Sequence, residues 1–138
     1  MKKNIFISTG EVSGDLHGSL LARELLEESK RRSIDLDIYG LGGEKMKKAG
    51  VEIIYDTTPI SAIGIWEAIP LILPMMKIQK RFLQFLISKS PNCLILIDYM
   101  GPNISIGRRL KKKKFNIPLY YYIAPQEWAW RVGNNSTT

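Results

Sequence analysis

The chain has 138 residues, 45% of them hydrophobic, one cysteine and a formal net charge of +7. That length accommodates a single domain with its own core, and the apolar share excludes a disordered chain. A lone cysteine excludes a disulfide framework and a cysteine-based metal site, while the positive charge suits an acidic partner such as phosphate, nucleic acid or anionic lipid.

Met1-Lys2-Lys3 leads directly into an apolar run, without the hydrophobic region or small-residue cleavage site of a secretory signal, so a cytoplasmic protein is expected. Asn4-Ile5-Phe6-Ile7-Ser8-Thr9 reads as a buried strand that runs into Gly10-Glu11-Val12-Ser13-Gly14-Asp15. Ser13 or Asp15 can cap the helix that follows, which the pattern carries to about Arg31. Its sheet-facing stripe is Gly14, Gly18, Leu21, Ala22 and Leu25, with Arg23, Glu24, Glu27, Lys30 and Arg31 on the outer face. Two glycines on that stripe let the helix lie close to the sheet, as in nucleotide-binding βα units. Their spacing is not the GxGxxG of a dinucleotide loop, so neither NAD nor any other cofactor is predicted. His17, the only histidine, falls on the non-core side and fits a surface or supporting role.

A second strand, Leu36 to Leu41, ends in Gly42-Gly43 and is followed by a short helix from Glu44 to Ala49. Gly50 is a natural helix terminator, and a third strand covers Val51 to Tyr55. The paired glycines either let the backbone approach a ligand or make a tight turn. Ile60 to Met76 is overwhelmingly apolar, but Pro59, Pro70 and Pro74 interrupt it and argue against a membrane-spanning helix. From Met75 onward, Met75, Ile78, Phe82 and Phe85 form a helical stripe widened by Met76, Leu83 and Ile87. Lys77, Lys80, Arg81 and Gln84 lie opposite. Beyond Lys77 this predicts a core helix. Before it, Ile65, Trp66, Ile69, Leu71, Ile72, Leu73, Met75 and Met76 are too many apolar side chains for a short proline-broken element to bury. Beside lysine and arginine they suit a membrane interface or a lipid substrate.

Cys93 to Ile97 reads as a fourth strand, with Cys93 as a small buried hydrophobe, and runs into Asp98-Tyr99-Met100-Gly101-Pro102-Asn103. Arg108-Arg109 and Lys111 to Lys114 concentrate the positive charge at what reads as a solvated helix end. No nucleic-acid motif accompanies them, so no nucleic-acid partner is expected. Leu119 to Ile123 is a last strand, leading into Ala124-Pro125-Gln126-Glu127-Trp128-Ala129-Trp130-Arg131 and a polar tail.

Alternating strand and helix patterns predict an α/β fold: an open, mostly parallel twisted sheet with helices on both faces, Rossmann-like. In such a sheet Glu11, Asp15 and Asp98 gather at the edge formed by the strand C-terminal ends, where ligands bind. A carboxylate there can serve as a general base when it reaches a substrate hydroxyl. Asp15 reads equally as a helix cap. Asp98 does not, because Tyr99-Met100-Gly101-Pro102 separates it from the next helix. No His, Asp and Glu cluster has metal-ligand spacing.

Gly10-Glu11-Val12-Ser13-Gly14-Asp15-Leu16-His17-Gly18, Gly40-Leu41-Gly42-Gly43 with Met46 and Gly50, and Pro125 to Arg131 together resemble the lipid-A-disaccharide synthase family. The resemblance covers nearly the whole chain. It implies that residues 1–131 form the Rossmann-like, acceptor-side half of a B-type glycosyltransferase, with 132–138 a polar tail. The implied reaction is an inverting transfer from UDP-2,3-diacylglucosamine to 2,3-diacylglucosamine 1-phosphate, giving lipid A disaccharide 1-phosphate and UDP. It would take place peripherally at the inner face of the inner membrane.

Asp98 matches the family's essential aspartate and would deprotonate the acceptor's 6-hydroxyl; Glu11 matches a glutamate near the reaction centre. Ser13, Gly14, Asp15, Gly42, Gly43, Asn103, Gln126, Trp128 and Arg131 would contact substrates. The apolar segment from Ile65 to Met76 resembles the family's membrane and acyl-chain surface. Two positions depart from the pattern: Ile63 replaces a methionine, and Gly101 replaces a second acid three residues after Asp98. The family continues with a C-terminal donor domain that supplies most of the UDP site, so this chain on its own is expected to be inactive. Two other readings stand beside this one. They are half of another sugar-nucleotide enzyme, such as an epimerase, and a non-catalytic lipid- or partner-binding domain.

Overall fold

The computed structural model describes residues 2–9, 12–56, 70, 72–97 and 116–123. Five strands, β1 (Lys2–Ser8), β2 (Asp35–Gly42), β3 (Glu52–Asp56), β4 (Cys93–Ile97) and β5 (Leu119–Tyr122), alternate with three helices among the described residues. The helices are α1 (Val12–Arg31), α2 (Glu44–Lys48) and α3 (Ile72–Lys89). The strands form one sheet in the order β3-β2-β1-β4-β5, and every pairing is parallel. The chain therefore steps outward from β1 to β3, returns to the far side of β1 for β4, and steps outward again to β5.

Crossovers between parallel strands are right-handed, so reversing the direction of travel moves the connecting helix to the other face. The core divides accordingly. Ile7, Ala22, Ile38, Met46, Ile95 and Ile97 pack on the face of α1 and α2. Phe6, Tyr39, Phe82, Leu86, Leu94 and Leu96 pack on the face of α3. Successive strand residues supply opposite faces, and both faces are covered at the centre of the sheet, which is why Ile5-Phe6-Ile7 of β1 and the whole of β4 read as apolar runs. Phe6 anchors the α3 side: its ring stacks on Tyr39 at 5.2 Å and meets the edge of Phe85 at 5.5 Å. Each such fully buried large side chain contributes about 2–3 kcal/mol relative to exposure.

The helix ends are set locally. α1 closes with the Ile34 N–H bonded to the Ser29 carbonyl at 2.8 Å and the Ser33 N–H to the Lys30 carbonyl at 3.1 Å. Ser33 takes a φ of 53° to do so. α2 closes in the same way, with the Val51 N–H on the Met46 carbonyl and Gly50 at a φ of 103°, a conformation that favours glycine. The expected terminator role of Gly50 holds.

Several boundaries differ from expectation. β1 begins at Lys2, whose ammonium lies 2.9 Å from the Asp37 carboxylate on the neighbouring strand. Neither Ser13 nor Asp15 caps α1, because the helix already begins at Val12 and both lie within its first turn. α3 begins at Ile72, three residues before the predicted stripe. Pro74 falls in its first turn, where a missing N–H sacrifices no intrahelical bond.

Candidate functional site

β1 and β4 are neighbours whose outgoing connections turn in opposite directions across the sheet. This is the topological switch point, and the crevice outside the strand C-terminal ends there is where open α/β sheets bind ligands. The register sets Ser8 of β1 opposite Leu96 of β4, and Ile97 of β4 opposite Tyr122 of β5. The three polar segments expected to share an edge thus leave from three adjacent strands: after Thr9, after Ile97 and after Ile123. Glu11, Asp98, Asn103, Gln126, Trp128 and Arg131 lie outside the described residues. At the end of β1, Ser8 and Thr9 are polar yet each only 1% exposed, and the Thr9 N–H donates to the Leu41 carbonyl at 3.0 Å.

Asp15 is 4% exposed, and its carboxylate is engaged by the backbone of α2. Oδ1 accepts the N–H of Gly43 at 2.8 Å and of Met46 at 3.0 Å, and Oδ2 accepts that of Lys45 at 3.1 Å. A helix of five residues leaves its first N–H groups without partners, and Gly43, its N-cap, has no side chain to meet them. Asp15, reaching from another helix, does what an N-cap side chain does, and adds the bond to the cap's own N–H that a capping box supplies. Of the substrate-contact candidates, the structure brings Asp15, Gly42 and Gly43 together in this α1–α2 junction, and packs Gly14 beside it against Thr9 at the end of β1. Ser13 is exposed nearby on α1.

The spatial pairing of Asp15 with Gly43 and Met46 is missing from a linear reading. A glycine N-cap ahead of a very short helix is the signal for it, because such a helix needs a cap from elsewhere. Gly14 and Gly18 are on the buried stripe as expected. A Cβ at Gly14 would lie 2.6 Å from Thr9 Oγ1, and one at Gly18 would lie 2.7 Å from Met46 Sδ.

On the other face, α3 buries Phe82, Leu83 and Leu86 and exposes Lys77, Lys80, Arg81 and Gln84. Ile65, Trp66, Ile69 and Leu71 lie outside the described residues. Ile72, Leu73, Met75 and Met76 fall on the first turns of α3, where the helix is described but their side chains are not. Cys93 is half-buried, and burial pushes its thiol pKa up, away from reactive thiolate. Among the described residues no group of three His, Cys, Asp or Glu side chains could hold a metal. Among them, too, no helix is long and apolar enough to cross a membrane.

A wholly parallel sheet in this order, with glycine-lined helix packing beside the switch point, defines a doubly wound, Rossmann-like α/β domain. Among solved structures, the UDP-GlcNAc 2-epimerase from Neisseria meningitidis bound to UDP-GlcNAc shares that fold, with a TM-score of 0.51 at 15% identity over 88% of this chain and 31% of that one. The family is set by sequence: the model of the lipid-A-disaccharide synthetase family matches residues 5–136, and the chain belongs to that family. It is 50% identical over 134 residues to the lipid-A-disaccharide synthase of Prochlorococcus marinus (strain MIT 9313), covering 97% of this chain and 34% of that protein. Against the synthase of Synechocystis sp. it is 47% identical over 133 residues, covering 96% of this chain and 34% of the relative. The chain spans about a third of the length of the curated relatives it matches.

Proposed function

We propose that this domain is the acceptor-side half of an inverting glycosyltransferase that makes lipid A disaccharide 1-phosphate. The observation that carries the reading is the switch point between β1 and β4. The family's acid-bearing segments follow those two adjacent strands, with Asp98 immediately after Ile97.

In the proposed reaction the acceptor's 6-hydroxyl attacks the anomeric carbon of UDP-2,3-diacylglucosamine. The bond from that carbon to the pyrophosphate oxygen breaks, UDP leaves, and the hydroxyl proton passes to Asp98. A sugar hydroxyl is a poor nucleophile until its proton leaves, so one positioned carboxylate is the minimum requirement. Glu11, two residues beyond Thr9 on the neighbouring strand, is the second acid of this edge. Asn103, Gln126, Trp128 and Arg131 are the further substrate contacts of the proposal. The domain supplies one side of the cleft and relies on a donor domain for the other, so alone it releases no UDP.

The apolar segment from Ile65 to Met76 and the cations at the start of α3 form the proposed surface toward acyl chains and the inner face of the membrane. Exposed Lys77, Lys80 and Arg81 support it, since cations beside an apolar segment add attraction to anionic headgroups.

The test is the complete enzyme incubated with both lipid substrates. UDP and disaccharide 1-phosphate are expected in equal amounts, and only when donor and acceptor are both present. UDP release independent of acceptor, or an epimerised sugar as product, would contradict the assignment.

A further inference from the structure

Two motif segments far apart in sequence meet in the fold. Gly14, Asp15 and Gly18 lie on α1; Gly40, Gly42, Gly43 and Met46 lie around β2 and α2. The Asp15 carboxylate takes three N–H groups at the start of α2. Met46, with no solvent exposure, fills a slot beside Gly18 and Gly40. A Cβ at Gly18 would lie 2.7 Å from the Met46 sulfur, and one at Gly40 would lie 3.1 Å from its methyl. Such a short helix cannot hold itself by backbone bonds alone. α2 is instead fixed at its start by a carboxylate and along its inner side by a thioether in a glycine-walled slot.

The start of α1 is held as closely to β1. Gly14 packs on Thr9 with no room for a methyl, and the Thr9 N–H is tied to the Leu41 carbonyl at the end of β2. Gly14, next to Asp15, thus ties the start of α1 to the C-terminal end of β1 at the switch point.

We infer that Asp15 is a positioning residue that latches α2 onto α1 beside the C-terminal end of β1, at the switch point, and that it is not a substrate ligand. A carboxylate has about four acceptor positions, and here backbone donors occupy three inside a buried junction. The effect on turnover rests on the proposed transfer reaction; the latch itself does not.

The test compares Asp15→Asn, Asp15→Ala and Gly18→Ala with the parent in the complete enzyme, by amide hydrogen exchange and steady-state kinetics. Asparagine keeps one oxygen for Gly43 and Met46 but turns an NH2 toward the Lys45 N–H; alanine keeps nothing. Gly18→Ala leaves the carboxylate intact and displaces Met46 instead. Exchange at Gly43, Lys45 and Met46 should speed up about tenfold in Asp15→Asn and Gly18→Ala, and about a hundredfold in Asp15→Ala. The kcat should fall in the same order, by roughly threefold to tenfold and then tenfold to a hundredfold, with KM for both substrates within about twofold.

A tenfold rise in KM with unchanged kcat in Asp15→Asn would make Asp15 a substrate ligand and overturn the inference. Parent-like exchange at the three amides in Asp15→Ala would overturn it too, as would parent-like kcat in variants whose exchange has loosened. If Asp15→Ala does not fold, the other two variants carry the same comparison. A parent enzyme that released no UDP would count against the reaction instead, and the exchange measurements would still decide whether the latch exists.

Discussion

Leu86 sits on the α3 face of the sheet with no solvent exposure, in the cluster that includes Phe6, Phe82 and Leu94. Close-packed neighbours relax only partly when a side chain is cut back, so truncation loses both transfer energy and cavity contacts. Leu86→Ala is expected to destabilise the chain by about 3 kcal/mol, read from its chemical denaturation midpoint. A loss below about 1 kcal/mol would mean that this face collapses freely and is not a packed core. Leu86 is also a residue that the sequence pattern hides. A stripe traced through Phe82 and Phe85 passes beside it, and periodicity resolves a face more readily than a single side chain. Cys93 is closer to its reading: its apolar neighbours foretell a small buried hydrophobe, and the structure half-buries it, enough to push its thiol pKa up. Asp15 lies between these. Its chemistry is visible in the chain, but its partners are 28 to 31 residues away.

Elements are most legible where local rules dominate. Gly50 follows the end of α2, and α3 stops at Lys89, where Ser90 takes a φ of 45° and returns its N–H to the Leu86 carbonyl just before Pro91. β4 begins and ends where its apolar run does. The start of α3 is less legible because Pro74 reads as an interruption, whereas a first turn tolerates proline. The solvent face of α3 places Lys77, Lys80 and Arg81 together, and the proposed membrane contact is tested at this scale. The chain should bind vesicles containing anionic lipid and release them as salt rises, since screening shortens from about 10 Å at 0.1 M to about 3 Å at 1 M. Replacing Trp66 and Leu71 together with serine should weaken binding further. Equal vesicle binding by that double variant and the parent, both folded, would remove the segment from the membrane contact.

At the scale of the whole molecule, alternating patterns are enough to expect a Rossmann-like α/β sheet, and the sheet is indeed open, with helices on both faces. The order β3-β2-β1-β4-β5 is not legible in the same way, because periodicity marks strands without saying which are neighbours. That order sets the C-terminal ends of β1, β4 and β5, the strands that precede the three polar clusters in the chain, side by side. The candidate site is correspondingly half-legible: candidates for it can be listed from the chain, while the α1–α2 junction that absorbs Asp15, Gly42 and Gly43 comes from packing.

The central claim is that this edge supplies the base for glycosyl transfer, and Asp98→Asn in the complete enzyme tests it most directly. Asparagine keeps the size and much of the hydrogen bonding of aspartate but cannot take the acceptor's proton at neutral pH. Turnover should fall by about two to four orders of magnitude with KM for both substrates little changed. Turnover close to the parent's at neutral pH would contradict the claim and leave Glu11 as the acid to examine.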